Sequence, residues 1–320
     1  VTSTTPHPAA PRTVPITVHP VAGPGAEDVL VATSGPHEGS VWTGTEDGAV
    51  VRMSPDGRTS TRVAETGGRP LGIEELPDGR LLVCDAHRGL LAVDPDGGAV
   101  EVLVAEVDGR AMRFCNNAAV ASDGGVWFSD SSREHSIEDW KADLVQLGRT
   151  GRLLHRAADG TVTTHLDGLA FANGVALAAD ESWVVVAETS ARTLVRLWLT
   201  GERAGSRELM SDDLPGYPDN IARGSDGLVW VSIASPRDPL VERLQRGPRV
   251  LQRAALGLPE ALQPAPKRTV RVQAYDDAGR VVHDLSADGT RFHMVTGVRE
   301  HEGKVWLGSL HEAAVAVLEP

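Results

Sequence analysis

Short runs of alternating apolar and polar residues recur along the chain. Many are entered or left by an Asp-Gly step, among them Asp47-Gly48, Asp56-Gly57, Asp78-Gly79, Asp96-Gly97, Asp123-Gly124, Asp159-Gly160, Asp226-Gly227 and Asp288-Gly289. Tight turns between antiparallel strands need a positive φ, which Gly and Asp tolerate, so these steps are hairpin signals. The pattern predicts a mostly antiparallel β protein.

One strand repeats six times, at residues 40–44, 80–85, 125–130, 182–187, 228–232 and 304–309, and five copies carry a tryptophan: Trp42, Trp127, Trp183, Trp230 and Trp306. Successive copies lie roughly 40 to 55 residues apart, the length of a four-stranded propeller blade, except across the last interval. Six copies imply an all-β, six-bladed β-propeller. A β-sandwich is the competing fold, since regularly spaced short strands suit it too. In the propeller each tryptophan strand packs against a neighbouring blade, so these indoles are core. Residues 1–20 read as a partly flexible N-terminal extension and 21–320 as one propeller domain. The last interval is long because residues 235–268, rich in Pro, Arg and Leu and without alternation, form an inserted loop or short helix. Such insertions shape the entrance to a site.

Charge narrows the partners. The 320 residues carry 44 Asp and Glu against 31 Lys and Arg, a net charge of -13, which opposes binding to nucleic acid or to an anionic membrane. No apolar run approaches the roughly 20 residues that span a bilayer, so a soluble protein is expected. Lysine is scarce (Lys141, Lys267, Lys304) beside abundant Ala, Gly and Arg, a bias typical of GC-rich bacterial genes. The opening residues lack a basic stretch followed by an apolar core. A cytoplasmic protein is expected, with a secreted mature chain as the alternative. Cys84 and Cys115 are the only cysteines, too few for a disulfide scaffold or a four-cysteine zinc site, and read as buried thiols.

The chemistry lies one strand before each tryptophan strand. Asn117 precedes Trp127 by ten residues, Asn173 precedes Trp183 by ten, and Asp219 precedes Trp230 by eleven. Equivalent blade positions share one level around the axis, so these side chains should converge. Glu27 takes the corresponding place in the first blade, displaced by the loop 33–39. Two carboxylates and two amide carbonyls form an all-oxygen, dianionic set, the kind a hard cation such as Ca2+ selects; Mg2+, Mn2+ or Zn2+ fits such a set as well. Taken singly, Asn173-Gly174 and Asp219-Asn220 also read as turn residues.

Several segments resemble the strictosidine synthase-like branch of the gluconolactonase, regucalcin and paraoxonase superfamily: 25–28, 115–120, 166–175, 188–189, 214–221 and 300–308. The resemblance implies a calcium-type site of Glu27, Asn117, Asn173 and Asp219, with Asn220 as a further ligand. A substrate pocket is expected at Leu71, Cys115, Asn116 and Tyr217, with His135 and His311 at its mouth. Metal-bearing members are similar to lactonases and arylesterases, in which the cation polarises an ester carbonyl. Plant strictosidine synthases instead condense an amine with an aldehyde without metal, using a glutamate that Glu300 matches. Where the paraoxonase pattern has a histidine pair, this chain has Leu71 at the first position and His87 near the second. Asp219, His87, Glu300 and His301 are the candidates for activating water. The expectation is a metal-dependent lactone or ester hydrolase on a small-molecule substrate. The alternatives are a condensing enzyme using Glu300 and a non-catalytic binding propeller.

Overall fold

The computed structural model describes residues 10–259, 263 and 265–320. Six sheets follow one another in chain order as the blades of a β-propeller, with inner strands Leu30–Val31, Pro70–Glu75, Cys115–Val120, Ala172–Leu177, Gly216–Arg223 and Val295–His301. These inner strands pack against one another around the axis. Of the eight Asp-Gly steps, Gly48, Gly57, Gly79, Gly124, Gly160 and Gly227 take the positive φ that their turns require.

The ring is shut by the N-terminal segment. Ile16–Pro20 pairs antiparallel with Ala314–Leu318, from Ile16 opposite Leu318 to Pro20 opposite Ala314. The two ends of the propeller thus share one sheet, and opening the ring requires breaking backbone hydrogen bonds. Arg12–Thr13 adds a parallel strand to the outer edge of blade five. This corrects the reading of 1–20 as an extension: residues 12–20 are propeller strands, with Ile16 and Val18 packed on the core, and residues 1–9 lie outside the described residues.

Six apolar clusters fill the six interfaces between blades. Five contain one of the repeated tryptophans, none more than 6% exposed. Each such indole buries roughly 150–250 Å2, worth on the order of 4–6 kcal/mol before entropy at ~25 cal/mol/Å2. Between blades two and three the repeat supplies Leu82 instead, and Phe128 fills the space with the thiols of Cys84 and Cys115. Cys115 therefore faces the core and not a substrate, which corrects its place in the pocket. Burial, then Cys84 beside it, pushes its thiol well up.

Three helices cap one end of the channel. Helix α1 (Trp140–Gln146) leaves the second strand of blade three, and α2 (Pro239–Gln245) and α3 (Arg249–Leu256) leave the same point in blade five. Asp238 caps α2 by accepting from the Leu240 and Val241 amides, with Pro239 in the first turn. Among the described residues the insertion thus carries two helices. It is tied to α1 by Gln245, whose Nε2 donates to the Leu144 carbonyl at 2.9 Å. No helix among the described residues is long and apolar enough to cross a membrane.

Candidate metal centre and its pocket

Every inner strand begins with the same irregularity. In blade three Cys115 pairs with Asp130 and Ala118 with Phe128, so Asn116 and Asn117 together oppose Ser129. The same slip occurs at Leu71-Gly72, Asn173-Gly174, Asp219-Asn220 and Thr296-Gly297. In blade one the Glu27 amide bonds the Gly44 carbonyl at 3.2 Å, one residue out of step with the Leu30–Trp42 pair. A β-bulge re-aims side chains, and here it aims two per blade.

The first residue of each bulge faces the capped cavity: Glu27, Leu71, Asn116, Asn173, Asp219 and Thr296 all line it. The second residues form a tighter ring beneath, where Asp28, Asn117 and Asn220 alternate with Gly72, Gly174 and Gly297. The glycines are required by close approach. A Cβ on Gly174 would lie 2.1 Å from the Ile221 nitrogen, and one on Gly297 would lie 2.7 Å from the Asp28 Cα. Only every other strand can carry a side chain at that level.

Hydrogen bonding fixes which atoms face the cavity. The Thr189 hydroxyl donates to the Pro218 carbonyl at 2.7 Å, so its oxygen can only accept from Asn173, and the Asn173 Nδ2 donates to it at 3.1 Å. The Asn173 Oδ1 is left without a partner. Asn116 repeats the arrangement, with Nδ2 donating to the Ser131 Oγ at 2.9 Å and Oδ1 unpartnered. The Asn220 amide donates to both oxygens of Glu27 at 3.3 Å, and its Oδ1 is also unpartnered. Buried polar atoms without partners are rare, and three amide oxygens in this state surround two carboxylates.

The charges are only partly compensated, by Arg69 at Glu27 and by Arg299 at Asp28. Burial, then the charges of Asp28 and Asp219, holds the Glu27 carboxyl well above its usual range despite the Asn220 amide. Burial pushes Asp219 up to about 7, with the Asn173 amide opposing and Asp28 adding. Asp28 is raised to about 6 by burial, opposed by Arg299. Among the described residues no group of three or more His, Cys, Asp or Glu is placed to hold an ion by itself, so amide oxygens must complete any shell. Glu27, Asp219 and the free Oδ1 atoms of Asn116 and Asn173 are a donor set that fits a hard divalent cation.

Asn117 is not among them. Its Oδ1 accepts from the Val175 amide at 2.9 Å and its Nδ2 donates to Asp28 at 3.3 Å; the residue of this bulge that faces the cavity is Asn116, expected only in the pocket. Tyr217 and Leu71 line the cavity as expected. The histidines do not. His87 is 43% exposed and pairs with Glu138 at 2.7 Å. His135 sits in the loop before α1, and His311 stacks edge-on with His293. His301 ends its strand in a turn, paired with Lys304.

Glu300 lies four residues beyond Thr296 on the same strand, roughly 13 Å along it. It accepts from the Ser225 hydroxyl and the Asp226 and Gly303 amides. That carboxylate ties two turns at the far end of the channel, which removes it from any reaction in the capped cavity.

Thr296, Thr189, Ser131 and Asp28 were not among the expected site residues. The hydroxyls of Thr189 and Ser131 carry a signal after the fact, since each directly follows the second strand of a blade whose inner strand supplies an asparagine.

The residue pattern matches the family model described as the SMP-30/Gluconolactonase/LRE-like region over residues 37–260. The chain is 34% identical over 261 residues to the Arabidopsis thaliana protein STRICTOSIDINE SYNTHASE-LIKE 10, covering 76% of this chain and 67% of that one. It is 31% identical over 302 residues to the Mus musculus adipocyte plasma membrane-associated protein, covering 87% and 72%. Among solved structures, a gluconolactonase from Xanthomonas campestris superposes with a TM-score of 0.69 at 15% identity, covering 95% of this chain and 89% of that one. A calcium-binding protein, regucalcin, from Agrobacterium tumefaciens gives 0.67 at 14%, covering 97% and 95%. This six-bladed propeller belongs to the SMP-30/Gluconolactonase/LRE-like family.

Proposed function

We propose that the protein is a metal-dependent hydrolase of lactones or related esters, with a divalent cation, Ca2+, held by Glu27, Asn116, Asn173 and Asp219. The observation that carries the reading is the set of unpartnered amide oxygens around two mutually repelling carboxylates. Family membership and the calcium-binding neighbour support it.

A bound cation supplies Lewis-acid polarisation of the ester carbonyl and eases deprotonation of water. The chain's own residues do the rest. No described histidine lines the cavity, and of its carboxylates Asp238 is spent on capping α2. Glu27 is held through both oxygens by Asn220, which leaves Asp219 to take the proton from water as it attacks the carbonyl carbon. The same carboxyl then returns a proton to the alkoxide as the ring opens.

Removal of metal with a chelator should abolish hydrolysis of a lactone and aryl ester panel, and added Ca2+ should restore it. Undiminished turnover in metal-free protein would overturn the reading. The names of the plant relatives point to condensation as a second reading. Glu300 cannot serve it from the far end of the channel, so it too would have to use Asp219 or Glu27.

A further inference from the structure

The walls of the cavity say what the substrate carries behind its reacting carbonyl. The cavity is open to solvent at its mouth and is lined by both the propeller and the cap. Its polar floor is the ring of first bulge residues. Above that floor the propeller contributes Leu71, Phe114 and Phe171, and the cap contributes Trp140, Leu144 and Val241.

Polar groups do occur in the wall, but much of their hydrogen bonding is spent on the protein, and Lys141, which also lines the cavity, sits over the Trp140 ring. The Ser235 hydroxyl donates to the Pro236 carbonyl and accepts from the Lys267 amide. The Gln263 Nε2 donates to the Leu256 and Leu258 carbonyls. The Tyr217 hydroxyl accepts from the Asp238 amide, and the Asp238 carboxylate accepts from α2. A hydroxyl buried against such a wall without a partner costs about 1–3 kcal/mol, whereas a methylene there is bound more tightly than in water.

We infer that the cavity takes a lactone or ester with one polar carbonyl head and an unsubstituted alkyl or aryl body, and rejects polyhydroxylated lactones. The head position rests on the function proposed above; the body rests on the wall alone. The cap sets the preference, because Leu144 and Val241 come from the two connections that build it.

The test separates binding from turnover. Affinities of a ladder of 5-alkyl γ-lactams, which resist hydrolysis, are measured by calorimetry on Ca2+-loaded protein, with glucono-δ-lactam as the polyhydroxylated comparator. Affinity should rise two- to fourfold per methylene over the first several carbons, and the comparator should bind at least tenfold more weakly than the alkyl lactam of equal heavy-atom count. Leu144→Asn and Val241→Asn should flatten the ladder while leaving the shortest lactam unchanged; if neither variant folds, the wild-type ladder decides alone. A flat ladder, or tighter binding of the comparator, overturns the inference. Turnover of the matching lactones is followed in parallel. A graded ladder without hydrolysis of any lactone sinks the hydrolytic reading and leaves this one standing.

Discussion

Replacing Asp219 by Asn should stabilise the metal-free protein, against the general rule that substitution of a buried residue destabilises. The carboxyl is raised from 3.8 to about 7, mainly by burial. Holding it ionised above pH 7 therefore costs about 4 kcal/mol, at 1.36 kcal/mol per unit. Glu27 and Asp28 share the same repulsion and relax when one charge is removed, so about 1–3 kcal/mol is the gain to expect, a few degrees in Tm. Asparagine keeps the shape, removes the charge and leaves one oxygen to accept from the Asn173 amide.

The sign follows from the direction of the shift. Below the unfolded value of 3.8 both states are protonated and the penalty is absent. As pH rises from about 4 towards 7 the unfolded chain loses its proton before the folded one, so folded stability falls, and it levels off above 7. In chelator, then, Asp219→Asn should melt above wild type at pH 8, with the difference shrinking towards pH 4. Saturating Ca2+ should reverse the order, because wild type gains binding energy that the variant lacks. Thermal melts by circular dichroism in both buffers are sufficient. If the variant melts below wild type in chelator at pH 8, the carboxylate is satisfied within the protein and is not poised for a cation.

Three further outcomes are expected. Glu300→Gln should lower stability by about 1–3 kcal/mol, because an amide cannot accept all the bonds made by that carboxylate; kcat/KM should stay within twofold of wild type, and a hundredfold loss would return Glu300 to the reaction. Thr189→Val frees the Asn173 amide to turn, so Ca2+ affinity measured by calorimetry should fall about tenfold or more, while Thr189→Ser keeps the hydroxyl and should keep the affinity; equal affinity in both would remove the positioning role. Gly174→Ala places a Cβ 2.1 Å from the Ile221 nitrogen and should cost more than about 2 kcal/mol in urea unfolding, and a neutral result would contradict the packing of the lower ring.

The fold was legible because a propeller writes its interfaces into a repeat. Trp42 and its four counterparts mark the interfaces, and even the exception at Leu82 is visible as a missing tryptophan. Ring closure was not legible, since a strand as short as Ile16–Pro20 pairs with a segment almost 300 residues away and nothing local announces the partner. The polar floor of the cavity was legible to within one residue. Spacing from the tryptophan strands singled out Glu27, Asn173 and Asp219, but at a bulge two adjacent residues compete for one direction, and in blade three both are asparagine. The interval from Asn116 to Trp127 equals that from Asp219 to Trp230, which favours Asn116. Histidines misled for a different reason: chemical suitability says nothing about which side of a turn a ring occupies. Glu300 shows the same limit along a strand, because four residues carry a side chain from one end of a narrow channel towards the other.

Direct titration of chelator-stripped protein with Ca2+ by calorimetry tests the central claim most directly. One ion should bind per chain in wild type and in Glu300→Gln, and none with measurable affinity in Glu27→Gln or Asp219→Asn. Absence of binding to the folded wild-type chain, or unchanged binding in both channel variants, would contradict the assignment of these oxygens to a cation.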